Sequence, residues 1–497
     1  MSLRLFNTMT RQVEPFVPVV PGRVTLYTCG PTIWSYAHIG NFRTFVFEDL
    51  LRRWLKASGY EVYQVMNLTD VDDRIIGEAG KKGVPIREFT EPYAKAFHED
   101  RQFLRVQDAE AYPRATDFIA PMIKLVEGLL ASGVAYRGED GSIYFSIERF
   151  PAYGRLSQLD KRELKTGASA RVASDEYAKE DARDFALWKA AKPEDEAVSA
   201  AWDAPFGRGR PGWHLECSAM ALDLIGRRFE ANVLDIHAGG VDLIFPHHED
   251  EIAQSCAYTG EVDFARIWMH GEFLNVRGQK MSKRYGNYTT PRDLREDGID
   301  PGAIRLLFFQ THYRQKLDLT DDALAAAREG ARRLGGFSRR LLDAAATGEE
   351  SPAFTDLAGR LDASFREALN DDLNAPRAVA AAFEFVNEGN RLLDRGLHPG
   401  ARALAAWRMV DEVLDASTQV KFTSTGAGVD VSAMSSLSEA PPSEAEAALS
   451  WARQWAEMRI IAKARRDFGE ADRIRKLLTD HGFEVRDTRN GSEVVRK

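Results

Sequence analysis

Cysteine is scarce in this sequence: Cys29, Cys217 and Cys256 are the three among 497 residues. An odd, widely spaced trio with no CxxC builds no disulfide framework and fits a reducing compartment. No apolar run reaches membrane-spanning length, and the N-terminal MSLRLFNTMTRQVEPF lacks the apolar core of a signal peptide. These absences predict a cytoplasmic chain that does not enter a membrane. GxxxxGK[ST] does not occur, so the P-loop reading fails. Basic residues are in the minority, 66 Lys and Arg against 75 Asp and Glu. The resulting charge of −9 argues against a general nucleic-acid coat while leaving room for a local basic face.

What is present is a chain too long for one core, with 44% hydrophobic residues and room for two to four domains. It is organised around VTLYTCGPTIWSYAHIGNFR, residues 24–43. A β-rich run (Val24, Leu26, Tyr27) stops at Gly30-Pro31, and a helix follows soon after His38. A strand handing over to a helix through a Gly/Pro turn is how a doubly wound α/β unit presents chemistry at the carboxyl end of its sheet. Gly40 permits close backbone approach, and the free N–H groups of the helix start suit a phosphate.

FVFEDLLRRWLKASGY puts Phe45, Leu50, Leu51, Trp54 and Leu55 on one helical face and stops at Gly59. EVYQVMNLTD then reads as a buried strand ending at Asn67-Leu68-Thr69-Asp70, completing a β-α-β unit. Thr69 reads as a substrate contact, while Asp72 and Asp73 fit site residues and helix caps equally well. A hairpin candidate (GSIYFSIERF) and a charged Ala/Lys-rich stretch interrupt the pattern as an insertion. The α/β rhythm resumes with GRPGWHLECSAMALDLIG, the strand VLDIHAGGVDLIF, a helix opening at Pro246, the strand IWMHGEFLNV and the loop RGQKMSKRYGN. From about 320 to 416 an Ala/Leu/Arg-rich helical periodicity predicts a bundle, and 419–443 is a Ser/Gly/Pro-rich linker. From Trp451 onward twelve Lys/Arg face eight Asp/Glu, which favours a polyanion contact by a basic helix over a merely solvated face.

Two constellations carry chemistry. Cys29, Cys217, His247 and Glu251 fall at predicted strand ends or helix starts of one sheet, and His247 and Glu251 share a helix face at i and i+4. Two thiolates, an imidazole and a carboxylate form a zinc set, one ion per chain. Cys256, half a turn off that face, reads as a small buried hydrophobe; His248 fits either a supporting or a substrate-contacting role. The second constellation joins His38-Ile39-Gly40-Asn41 to Lys280-Met281-Ser282-Lys283. Attack of a carboxylate on the α-phosphorus of ATP needs charge and positioning, which an imidazole at a helix start and two lysines supply.

These blocks, in this order, resemble the class I aminoacyl-tRNA synthetases and, within them, the cysteine-specific family. The likeness runs through Cys29-Gly30-Pro31-Thr32, His38-Ile39-Gly40, Asn67 to Asp73, Gly212 to Met220, Phe245 to Glu251 and Lys280 to Lys283. It continues through Asp371-Asp372-Leu373-Asn374 to Ala471-Asp472-Arg473-Ile474-Arg475. The resemblance implies the zinc ligands named above, Thr69 and Trp213 lining a cysteine pocket, with Gly30 and His248 as further substrate contacts, and Asp242 near the adenylate ribose. His38, Gly40, Asp242, Lys280 and Lys283 would then contact ATP, and His38, Asn41, Lys280 and Lys283 would carry catalysis. Two signatures depart from the family pattern: one ends in Asn41, which carries no charge, and the other in Arg284, which adds one. The end, RNGSEVVRK, lacks an expected tryptophan.

The implied fold is α/β, a Rossmann-like parallel-sheet catalytic domain split between 1–110 and 206–290 by a connective insertion at 111–205. A stem-contact segment (291–320), an α-helical bundle (321–418), a linker (419–444) and a small anticodon-contacting domain (445–497) follow. The implied activity is ATP-dependent ligation of L-cysteine to its tRNA, with Mg2+ accompanying ATP and the chain acting as a monomer. Two rivals are a paralogous cysteine ligase with a small amine acceptor and a non-catalytic RNA-binding relative. The bundle and tail argue against the first, and the retained Lys280 and Lys283 against the second.

Overall fold

The computed structural model describes residues 2–158, 184–281, 287–345 and 350–418, and, of the remainder, 448, 451–452, 455–456, 459, 468–488 and 491–496. Contacts divide the chain into two units, 1–422 and 423–497.

The first unit opens with a hairpin, β1 (Arg4–Asn7) and β2 (Gln12–Pro15). Then come β3 (Arg23–Thr28), α1 (Ile39–Ala57) and β4 (Glu61–Met66), the β-α-β unit legible in the sequence. Helices α2 (Asp73–Lys82), α3 (Ile86–Phe103) and α4 (Ile119–Ala131) lead to a four-stranded antiparallel sheet. Its strands are β5 (Ala135–Arg137), β6 (Ile143–Phe145), β7 (Phe185–Ala190) and β8 (Gly209–Pro211). The predicted hairpin GSIYFSIERF is therefore corrected: β6 pairs upstream with β5, and Ile147–Arg149 is a 3-10 turn.

Helix α5 (Trp213–Ala221), β9 (Leu234–Gly240), α6 (Glu249–Thr259) and β10 (Ala265–Gly271) complete the main sheet. That sheet is all parallel, in the order β4-β3-β9-β10. The two β-α-β units run outward from the centre, so the strand order reverses between β3 and β9, where a crevice opens at the carboxyl ends. Alternation sets the two faces: Val24 and Leu26 pack with α1 and the downstream helices, Tyr27 and Val65 with the opposite layer.

The single predicted strand IWMHGEFLNV is two, β10 and β11 (Leu274–Val276), in different sheets. Strand β11 pairs with β12 (Gln279–Lys280) and, after α7 (Pro301–Phe309), with β13 (Leu317–Leu319). Regular helix begins at Glu249, three residues after Pro246; Phe245, the residue before that proline, is extended (φ −142°, ψ 133°), as the pyrrolidine ring demands.

Four helices follow: α8 (Asp321–Ala345), α9 (Pro352–Asn370), α10 (Ala375–Asp394) and α11 (Ala401–Leu414). In α9, Phe354, Leu357, Leu361, Phe365 and Leu369 form the buried stripe. A buried ion cluster links this bundle to the sheet domain. Asp49 of α1 accepts from Arg53 at 2.7 Å and pairs with Arg305 of α7 at 2.8 Å, and Arg53 also reaches the Glu412 carbonyl and Asp415. In the second unit, α12 (Phe468–Asp480) and a hairpin of β14 (Phe483–Thr488) and β15 (Gly491–Arg496) accompany a small core of Trp451, Trp455, Ile474, Leu478 and Phe483.

Candidate metal centre and nucleotide cleft

Strand β3 ends at Thr28, and the Cys29 N–H donates to the Ala238 carbonyl of β9, which puts Cys29 at the reversal point of the sheet. Cys217 arrives from α5, His247 from the irregular turn before α6, and Glu251 from the first turn of α6. One ligand atom from each lies within 4.8 Å of the others, and all four residues are buried. The Cys29 and Cys217 sulfurs are 3.9 Å apart, Cys29 Sγ to His247 Nε2 is 3.7 Å, and Cys29 Sγ to Glu251 Oε1 is 3.9 Å. A tetrahedral zinc with Zn–S bonds of about 2.3 Å separates its sulfurs by about 3.8 Å, so the spacing fits. His247 Nε2 and Glu251 Oε1 stand at 2.9 Å, a hydrogen bond that an ion would replace.

The electrostatics match that donor set. Burial alone would raise the Cys217 thiol, but the Cys29 hydrogen bond and the His247 cation bring it down to about 6. Burial likewise opposes ionisation of Glu251, yet His237 and His247 hold it at about 2. Against burial, Glu251 and Cys217 raise His247 well above its ordinary range, whereas burial and then Cys217 push the Cys29 thiol up. The pair thus gives up its first proton from Cys217.

Three histidines to which sequence reasoning gave no role, His214, His237 and His270, support the site together with His248. His237 Nε2 meets Glu251 Oε2 at 2.9 Å, orienting the carboxylate, and the His237 ring stacks on Trp268. His214 Nδ1 lies 3.1 Å from His247 Nδ1, and its Nε2 is 3.4 Å from Asp250. His248 Nε2 lies 3.4 Å from Cys29 Sγ, while its Nδ1 bonds His270 Nε2 at 2.8 Å, and His270 Nδ1 bonds the Thr8 hydroxyl at 2.7 Å. Burial lowers His248 well below its ordinary range and His270 to about 3, so both are neutral. Cys29, His237, His248 and Glu251 form a second close set that shares Cys29 and Glu251 with the first, with His248 Nε2 facing Cys29 Sγ while its Nδ1 bonds His270. The one available signal was a histidine inside a predicted parallel strand, His237 in β9 and His270 in β10.

Around the centre, Trp213 is 37% exposed and stacks on the His247 ring at 4.4 Å. Thr69 is buried, its hydroxyl accepting from Asn67 at 3.2 Å, and the Gly30 N–H donates to Asn67 Oδ1 at 3.0 Å. Cys256 lies outside the cluster, its thiol donating to the Val262 carbonyl. Asp72 caps α2 by accepting from the Arg74 and Ile75 N–H groups, and Asp73 pairs with Lys189 and Arg210, so both aspartates are structurally engaged.

At the start of α1, His38 and Asn41 form a reciprocal capping box: the Asn41 N–H donates to His38 Nδ1, and Asn41 Oδ1 accepts from the His38 N–H, both at 3.1 Å. Gly40 packs against the His38 ring, which a Cβ would meet at 3.0 Å. Asp242 follows β9 in a 3-10 turn, exposed at the carboxyl edge of the sheet. Lys280 ends β12, while Lys283 lies outside the described residues.

Residues 15–329 match a family model described as the tRNA synthetases class I (C) catalytic domain, and residues 364–416 match a DALR domain. A cysteine–tRNA ligase of Chlamydia pneumoniae is 43% identical over 494 residues, covering 99% of this chain and 98% of that protein. One from Protochlamydia amoebophila is 49% identical over 394 residues, 79% of this chain and 80% of that one. Among solved structures, Mycobacterium tuberculosis methionyl-tRNA synthetase in complex with methionyl-adenylate aligns with a TM-score of 0.57 at 15% identity, covering 79% of this chain and 89% of that one. That last likeness speaks to the fold.

Proposed function

This chain belongs to the cysteine–tRNA ligases of the class I aminoacyl-tRNA synthetases, and on that premise we propose that it works through a cysteinyl-adenylate with zinc selecting the amino acid. The observation that carries the proposal is the convergence of Cys29, Cys217, His247 and Glu251 at tetrahedral spacing where the strand order reverses. Zinc held by those four would supply a soft acceptor that prefers a thiolate to a hydroxyl, so serine is refused without an editing domain.

The protein's own groups do the rest. Trp213, Thr69, Gly30 and His248 line the cysteine pocket. The substrate carboxylate attacks the α-phosphorus of ATP, forming the mixed anhydride and expelling pyrophosphate. A terminal ribose hydroxyl of tRNA then attacks the acyl carbon, forming the ester and releasing AMP. His38, Asn41, Lys280 and Lys283 stabilise charge on the phosphates, which carry Mg2+, and Gly40 and Asp242 position the nucleotide. Asn41 takes part through its amide NH2, because its oxygen serves the capping box. In this reading the catalytic domain is the pair 1–110 and 206–290, the insertion is 111–205, and 291–320 contacts the acceptor stem. The helical bundle is 321–418, the linker 419–444, and the domain at 445–497 contacts the anticodon.

Elemental analysis with cysteine-dependent ATP–pyrophosphate exchange tests the proposal. One zinc per chain, lost in Cys217→Ser together with cysteine affinity but not ATP affinity, is expected. Full activity with no zinc would overturn it.

A further inference from the structure

Arg43 lies two residues beyond Asn41 and is only 4% exposed, yet its guanidinium fork meets no carboxylate among its hydrogen-bond partners. It donates instead to four backbone carbonyls: Nη1 to Glu272 at 2.8 Å and Phe273 at 2.6 Å, Nη2 to His312 at 3.2 Å and to Gln315. These carbonyls lie on two separate stretches, one leading from β10 into β11 and the other leading into β13. The same stretches are joined by the Glu272 N–H donating to Tyr313 and the Leu317 N–H donating to Phe273. Strand β11 pairs on one side with β13 and on the other with β12, placing Lys280 opposite Asn275. One planar fork from α1 therefore fixes the root of the three-stranded sheet on which Lys280 stands.

The chain returning from the Lys280–Lys283 segment is held by the same neighbourhood. The Ile39 N–H donates to the Thr289 carbonyl at 2.8 Å, and the Tyr288 hydroxyl donates to the Tyr36 carbonyl at 2.5 Å. The Tyr288 ring also meets the His38 ring edge to face, centroids 5.4 Å apart. The entry and the exit of the lysine segment are thus both tied to the residues flanking His38–Asn41. Ligation of a buried guanidinium by carbonyls is a costly way to fill space, since burial opposes its charge and the Glu272 carboxylate only partly offsets that. Its gain is geometric.

We infer that Arg43 and Tyr288 are positioning residues for adenylate formation, fixing where Lys280 stands relative to His38 and Asn41. The inference rests on the nucleotide-site reading above. Neither residue need touch ATP; each acts through the group it holds.

Exchange kinetics on the full-length zinc enzyme test this, with Arg43→Lys, Tyr288→Phe, Lys280→Ala and the double variants carrying Lys280→Ala. Lysine keeps the charge but cannot span both carbonyl pairs; phenylalanine removes only the hydroxyl. Misplacing a charge by about an ångström costs on the order of tenfold to a hundredfold in rate. The expected result is such a fall in the exchange kcat for Arg43→Lys, a smaller fall for Tyr288→Phe, and unchanged KM for cysteine and zinc content. In the Lys280→Ala background each change should cost less than about threefold, a non-additivity that general loosening of the fold would not produce. If Lys280→Ala slows exchange while Arg43→Lys and Tyr288→Phe stay within about twofold of wild type, the positioning role is overturned and the nucleotide site stands. If Lys280→Ala is itself silent, the nucleotide-site reading falls and the positioning role falls with it. Should Arg43→Lys fail to fold, Tyr288→Phe decides.

Discussion

Replacing Gly30 by alanine should disable the metal centre while sparing the nucleotide cleft. A Cβ built on Gly30 would overlap the Asn67 carbonyl oxygen outright, 3.0 Å from the Asn67 carbonyl carbon and 3.2 Å from Met66 Cγ. The obstacle is backbone, which has no rotamer to give. It is also fixed on both sides: Gly30 donates to Asn67 Oδ1, the Thr69 N–H to the Pro31 carbonyl and the Ile33 N–H to the Thr69 carbonyl. Relieving the overlap requires the end of β3 and the Asn67–Thr69 segment to part by on the order of 1 Å. Cys29 is the adjoining residue. A metal site tolerates displacements of only about 0.2 Å in its bonds, so a shift of that size leaves Cys29 too far from an ion held by the other three ligands. Overpacking of this kind costs about 1–3 kcal/mol of stability. Zinc content by elemental analysis, the KM for cysteine in ATP–pyrophosphate exchange and the thermal midpoint form the assay. Substoichiometric zinc and a KM for cysteine raised on the order of a hundredfold, with KM for ATP little changed, are expected. A Gly30→Ala protein with one zinc and wild-type cysteine affinity would refute the reasoning.

Arg305→Met leaves Asp49, fully buried, with one guanidinium where it had two, and should cost about 3–5 kcal/mol in denaturant unfolding. Asp411 is pushed up to about 6 by burial, so its folded form holds a proton that the unfolded chain releases near pH 4. Its contribution to stability is present below that pH and lost as pH rises through about 6; Asp411→Asn should therefore raise the unfolding free energy by at most about 3 kcal/mol at pH 8 and by less at pH 5. Equal effects at both pH values would count against it. Cys256→Ser should leave zinc stoichiometry at one, because that thiol bonds the Val262 carbonyl away from the cluster.

The first β-α-β unit was legible because its signals are local: apolar runs in β3 and β4, one apolar face on α1, a Gly/Pro stop between them. Cys29, Cys217 and His247 were candidates by residue type, since few side chains other than cysteine and histidine invite a soft metal, and Glu251 joined them by its i+4 spacing from His247. The supporting histidines were not, because what makes His237 and His270 matter is their register with Glu251 and His248 across strands and helix. The break after Gly271 also escaped pattern reading. An apolar run gives no sign that an arginine 229 residues earlier will hold its carbonyls. The late start of α6 was foreseeable in principle, as Pro246 constrains Phe245; the rule favouring proline at helix starts was applied three residues too soon.

The separation of the two sulfurs along the chain has a temporal consequence. Cys29 and Cys217 are 188 residues apart, and His247 and Glu251 come later still. Closing a loop of that length costs on the order of 5 kcal/mol in chain entropy, which a lone thiol cannot repay. During synthesis, then, the first half of the sheet emerges with one orphan sulfur, and no competent metal pocket exists until the polypeptide has passed Glu251. Zinc capture should mark the moment when the interrupted domain closes on itself, and a chelator added during refolding should trap chains whose early β-α-β unit is formed but whose two halves have not met.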